Sequence, residues 1–246
     1  MFLLMYCHIC AANKVTLGVQ NIAYYPHYDY TDERQDSLLE WLLLQIEQDT
    51  ELEFEVRSLP IKRLDHAFFE AREIDLIFPV NPRWYPGIEH LEYSAPIVNI
   101  IGGTMVKPEK ANMVLDEFKV LVVPFGFKPI EWFKIKDKNS FRIFEVADAK
   151  KSLNMVLSGR ADGADIEYNV AQYLLARMGK TKKLKLAHHL PLSKVSFHIA
   201  GIKDSPSIEA ISQWIMENTA HIKAYKKALN LIEHDKVPLS NTQKLN

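Results

Sequence analysis

One phrase occurs twice in this chain. Leu64-Asp-His-Ala-Phe-Phe-Glu-Ala-Arg-Glu-Ile-Asp75 runs into the apolar stretch Leu76-Ile77-Phe78. Leu153-Asn-Met-Val-Leu-Ser-Gly-Arg-Ala-Asp162 runs into Gly163-Ala-Asp-Ile166. Each copy has the pattern of an amphipathic helix, a tight turn, an aspartate and then a strand. A step repeated once in 246 residues predicts two similar α/β lobes, and two lobes imply a cleft where function is to be sought. The two aspartates themselves read as turn acids of the scaffold.

Periodicity places strands over 15–19, 52–57, 74–78, 119–123, 141–146, 183–187 and 195–202. Helices are expected over 37–48 with Asp36 as cap, over 61–72, and over 149–158 with Asp148 as cap and Gly159 as stop. A strand-to-helix passage covers 166–178, and Ser205-Pro206 opens a helix that a second follows to about residue 233. Strands alternating with helices predict an α/β fold with mostly parallel sheets. No Pro/Gly/Ser-rich linker separates the lobes, so strands should join them, with 97–106 and 195–202 as the crossings. Lobe one is then 13–99 plus 199–246, and lobe two 100–198.

Composition removes several classes of function. A net charge of −1 leaves no basic excess to neutralise phosphates, so nucleic acid is not an expected partner. His188-His189 has no partner at metal-ligand spacing, and Gly102-Gly103-Thr104 lacks the lysine and helix start of a phosphate loop. No G-x-S-x-G elbow exists. Neither catalysis, a metal nor a cofactor is indicated. Both cysteines, Cys7 and Cys10, lie in an uncharged apolar opening that ends in Cys10-Ala11-Ala12. Residues 1–12 read as the apolar region and cleavage site of a secretory signal peptide, lacking the usual positive start; a buried N-terminal strand is the alternative.

Open α/β sheets bind ligands beyond the carboxyl ends of their strands. Four such ends supply the candidates: Tyr24 and Tyr25; Asn81, Arg83 and Trp84; Gly126 and Phe127; and Glu167. Arg83 offers a forked donor for a carboxylate or sulfonate. Trp84 and Tyr25 could stack on a ring or face a cation. Gly126 allows close backbone approach, with nearby amides to hold an anion. Glu167 is the acidic candidate.

The order of these features resembles the periplasmic solute-binding proteins of family 3, the amino-acid-binding type with a two-lobed Venus-flytrap (type II) fold. The resemblance spans roughly residues 15–231. It rests on Val15-Thr-Leu-Gly-Val, Tyr25-Pro26-His27-Tyr28, the phrase in each lobe, Tyr93-Ser94-Ala95-Pro96, Val195-Ser-Phe-His-Ile-Ala200 and Ser205-Pro206. It implies a monomer in the periplasm that closes on a small polar or amino-acid-like solute and is read by an ABC-type permease. A module that signals to a membrane receptor, and a dehydratase-like enzyme using Glu167, are the alternatives. The family's Thr-x-x-Arg is replaced by Asn81-Pro82-Arg83-Trp84, its Gly-Thr by Gly126-Phe127, and the aspartate that receives the ligand amine by Glu167.

Overall fold

A computed structural model describes residues 13–31 and 36–234; the leader expected over 1–12 lies outside the described residues. The chain opens with β1 (Asn13–Gln20), β2 (Ala23–Tyr24), β3 (Tyr28–Asp29), α1 (Leu38–Asp49), β4 (Leu52–Leu59), α2 (Ile61–Phe69), β5 (Leu76–Val80) and β6 (Leu91–Tyr93). It continues with β7 (Val98–Val106), β8 (Val120–Pro124), α3 (Ile130–Lys136), β9 (Arg142–Val146), α4 (Ala149–Leu157), β10 (Gly163–Glu167), α5 (Tyr168–Arg177) and β11 (Lys185–Leu186). A long strand β12 (Leu192–Ile202) and helices α6 (Pro206–Glu217) and α7 (Thr219–Ala228) complete it.

The main sheet has the strand order β4-β1-β5-β12-β7-β10-β8-β9, with β6 added to β12 and β11 to β7. Pairing is parallel toward the two ends and antiparallel around β12 and β7. Both lobes draw on β12: Leu192 to Phe197 pair with β7, and His198 to Gly201 pair with β5. The register shifts between His198 and Ala200, opposite the stretch of β5 that contains Pro79. Proline has no N–H to give the ladder, and an irregularity in the facing strand accommodates the gap. The Ile199 N–H turns instead to Ser94 Oγ at 3.1 Å.

The repeated phrase builds the same device in both lobes. In lobe one α2 ends, the chain turns through Arg72 at φ +55°, and Asp75 accepts the Thr16 N–H of β1 at 2.8 Å. In lobe two α4 ends, the chain turns through Gly159 at φ +76°, and Asp162 accepts the Lys119 and Val120 N–H groups, each at 2.9 Å. The return bonds match as well, Asp75 N–H to Thr16 O at 3.0 Å and Asp162 N–H to Val120 O at 2.9 Å. Each aspartate clamps its own strand to a parallel neighbour, β5 to β1 in lobe one and β10 to β8 in lobe two.

Several boundaries differ from expectation for local reasons. The cap of α1 is Ser37, not Asp36, because Ser37 and Glu40 form a reciprocal capping box. Buried Leu38, Leu39, Leu42, Leu43 and Ile46 anchor that helix, each side chain contributing roughly 1.5–3 kcal/mol against exposure. Trp41, half-buried on the same helix, stacks on Tyr225 of α7 at 4.3 Å. Helix α2 stops at Phe69, short of the expected residue 72, and Ala71 is exposed. Strand β5 continues through Pro79 to Val80 instead of stopping at the proline, and α7 ends at Ala228. The C-terminal helices pack on lobe one: Trp214 of α6 donates to Asp49 at the end of α1, at 2.8 Å.

Candidate functional site

A cleft of about 1060 Å³, counting its open mouth, lies between the lobes. Tyr24, Asn81, Arg83, Trp84, Gly126, Phe127 and Glu167 all line it. Tyr25 does not; its ring packs 4.4 Å from that of Tyr173 on α5, beside the cleft.

Lobe one contributes an aromatic, mostly neutral wall. Tyr24 is buried, with its ring 5.5 Å from Tyr28 and 5.6 Å from Phe127 of the other lobe. Burial first, and then the Glu167 carboxylate, push its phenol well above the usual range. Trp84 is half-buried against Phe197 of β12, at 5.7 Å. Asn81 closes an Asx turn by accepting the Arg83 N–H at 3.0 Å. Its side chain is fully buried, and its Nδ2 has no hydrogen-bond partner among the described residues. Asp65, the acid on this wall, accepts the Tyr85 hydroxyl at 2.6 Å.

Two of the expected anion-holding groups are already engaged. Arg83 Nη1 reaches across the mouth to Glu131 Oε1 of α3 at 3.2 Å, and Lys134 shares that carboxylate at 3.0 Å. The Gly126 N–H donates to Glu145 at 3.1 Å, so it is not aimed at a ligand. Gly126 has another part in the cleft. Its φ is +84°, and a side chain there would meet Ile61 of α2 at 3.3 Å, so the glycine lets the lobes approach closely.

Glu167 ends β10 and caps α5, a junction that consumes its oxygens. It accepts the Val170 N–H at 2.9 Å and the Asn169 amide at 2.8 Å. His27 Nε2 of lobe one lies 2.9 Å from Glu167 Oε2, both side chains essentially inaccessible. Asn169 also exchanges hydrogen bonds with Ile232, at 2.8 and 3.0 Å, and Glu233 accepts the Asn99 N–H at 2.8 Å. The Asn169 bonds tie the segment after α7 to lobe two, and the Asn99 bond ties it to the crossing strand β7. The acid expected to meet a ligand amine therefore works as a cap and a lobe-to-lobe contact.

The carboxylate that faces the cleft without a partner is Asp165, two residues earlier and not among the sequence candidates. It is half-buried in the wall, and no hydrogen bond or ion pair holds it among the described residues. Burial, followed by the charge of Glu131, pushes its carboxyl up to about 7. A signal was available: an acid in the middle of the short buried strand Gly163–Glu167 needs a reason. Glu131 and Trp132 were missed too. Trp132 lines the cleft from α3 and donates to Thr104 at 3.1 Å. Among the described residues, no group of three His, Cys, Asp or Glu side chains is placed to hold a metal ion.

Such a cleft between two lobes joined by paired strands defines the type II periplasmic-binding-protein fold. Among solved structures the chain is similar to an ancestral arginine-binding protein bound to arginine, with a TM-score of 0.71 and 14% identity over 88% of this chain and 97% of that one. It is also similar to the GluR0 ligand-binding core of Nostoc punctiforme in complex with L-glutamate (TM-score 0.70, 14% identity, 87% and 98% covered). A third is the periplasmic VFT2 domain of Bordetella pertussis BvgS (TM-score 0.68, 18% identity, 88% and 92% covered). No protein-family model and no curated protein matches the sequence.

Proposed function

We propose that this protein is a periplasmic solute-binding protein that captures a small polar or amino-acid-like solute by lobe closure and presents it to an ABC-type permease. One observation carries the proposal: the cleft is walled by both lobes, whose side chains already meet across it at Arg83–Glu131 and Tyr24–Phe127. A solute there touches both walls only when the lobes are together, so binding shifts the population toward the closed state. The lobes divide at 99/100 and 198/199, with 1–12 as leader and the mature chain a monomer. Fold likeness supports this reading, with function argued from the site.

Sensing is the second reading, favoured by the likeness to the BvgS domain. Its partner would be a membrane receptor in place of a permease, and the binding step would be the same. Thermal-shift screening against amino acids, polyamines and small organic acids tests both, followed by small-angle scattering with the best compound. The expected result is a higher Tm and no loosening of the lobes. If nothing in a broad library moves Tm, the solute-binding reading fails.

A further inference from the structure

The cleft's charges do not suit a zwitterion. An amino acid needs a cation for its carboxylate and an anion for its amine. Here the cation at the mouth, Arg83, is paired with Glu131, and Lys128 is exposed beside it. The Gly126 amide is spent on Glu145. Against these stand the carboxylates of Asp65, Glu131, Asp165 and Glu167. Asp65 is answered by Tyr85, and Glu167 by the start of α5 and His27. Asp165 is answered by nothing among the described residues, and its nearest charged influence is another carboxylate, Glu131. An unpaired acid in a cleft otherwise lined by Tyr24, Trp84, Phe127, Trp132 and Phe197 is a costly arrangement that a bound cation would relieve.

A second unmet group points to a ligand as well. The Asn81 Nδ2, on a fully buried side chain of the opposite wall, is a donor without an acceptor. It is neutral and suits a hydroxyl or other uncharged oxygen better than a carboxylate, which would also face the repulsion of the acids across the cleft.

Building on the solute-binding reading, we propose that the solute is an organic cation without a carboxylate, its ammonium or guanidinium seated on Asp165 and flanked by the aromatic walls. Amine and amino acid are then distinguished by the balance of charge around the seat: carboxylates outnumber cations in the cleft, Arg83 is held by Glu131, and the remaining lysine, Lys128, is exposed to solvent. Specificity against the amino acid comes from repulsion and an unpaired carboxylate rather than from an added contact.

Isothermal titration calorimetry of the whole protein with matched pairs tests this: agmatine against arginine, cadaverine against lysine, tyramine against tyrosine. In at least one pair the amine should bind, and at least tenfold more tightly than its amino acid. The Asp165→Asn variant should lose at least a hundredfold in amine affinity while its Tm stays at or above that of the parent. If the amino acid binds as well as the amine in every pair that binds, the proposal falls and the solute-binding reading stands. If Asp165→Asn keeps amine affinity, the proposal also falls. If neither pairs nor a broad library bind, both fall together.

Discussion

The two copies of the helix-to-strand phrase are alike in scaffold and unlike in what they deliver. Both turn through a left-handed residue three positions before the aspartate, and both aspartates pin a parallel neighbouring strand, β1 in lobe one and β8 in lobe two. After that they part. The lobe-one copy leads into Asn81, Arg83 and Trp84, a neutral and cationic rim; the lobe-two copy leads into the unpaired carboxylate of Asp165. The repeat preserves what holds a lobe together, and the cleft is where the copies are free to differ.

Glu167 and Asp165 sharpen the contrast, since two acids on one strand have opposite roles. Glu167→Ala should be the most damaging change. It removes the cap of α5 and the carboxylate that faces His27, and leaves the buried Val170 N–H and one Asn169 amide bond unanswered, a loss of about 2–4 kcal/mol. Urea unfolding followed by circular dichroism reads it directly, and a loss under about 1 kcal/mol would mean that the contact is not structural.

The scaffold aspartates should rank next, and unequally. Asp162 accepts two backbone N–H groups and pairs with Lys110, whereas Asp75 accepts one N–H. Asp162→Asn should cost about 1.5–3 kcal/mol and Asp75→Asn about 1 kcal/mol or less. Burial pushes the Asp162 carboxyl up, but its bonds from Lys110 and from the Lys119 and Val120 amides outweigh that and hold it below the usual range. A lowered folded-state pKa gives stability that is present above the unfolded value and lost as pH falls through the folded one. The gap between parent and Asp162→Asn should therefore close on acidification below about pH 4. A gap that holds constant to pH 2 would mean that the ionised Asp162 carboxylate is not what holds β8 in place.

Smallest should be the left-handed turns. Gly159 adopts φ +76° without penalty, whereas Arg72 holds φ +55° with a side chain. Gly159→Ala should cost about 1 kcal/mol, and Arg72→Gly should be neutral or stabilising by up to about 1 kcal/mol. If both glycine forms are the less stable, the two turns are not equivalent.

Much of the fold was legible because hydrophobic period and turn chemistry are local. The repeat, the Asp148 cap and the Gly159 stop are short-range signals. The Ser37 cap was missed by one residue because Asp36 is an equally good cap type, and only the reciprocal bond to Glu40 decides between them. Candidate site positions were legible as strand ends, and most of them meet at one cleft. Their engagement was not. That Arg83 pairs with Glu131, or that Glu167 meets His27, depends on contacts between residues far apart in sequence. Asp165 was hidden by its place inside a strand, where spacing from the phrase drew attention to Glu167 instead.

Asp165 also sets the pH dependence of binding. Glu131 of α3 faces it, Tyr24 of lobe one lies within its field, and Asp65, Arg83, Lys128 and Glu167 share the cleft. With its carboxyl pushed up to about 7, the acid is mostly neutral at pH 6 and mostly charged at pH 8. Amine affinity should rise between those values, and the same titration should be absent in Asp165→Asn.

The most direct measurement is the Tm of parent and Asp165→Asn at pH 8, with and without saturating tyramine, agmatine or cadaverine. A raised folded-state pKa means that the ionised acid costs the ligand-free protein stability at pH 8. Without ligand the variant should melt higher by a few degrees, corresponding to roughly 1–2 kcal/mol for a half-buried, solvent-screened acid. With amine at about a hundred times its Kd, the parent should gain about 2.7 kcal/mol and overtake the variant. If the variant melts lower without ligand, or the order does not reverse with it, Asp165 is not a charge awaiting a cation.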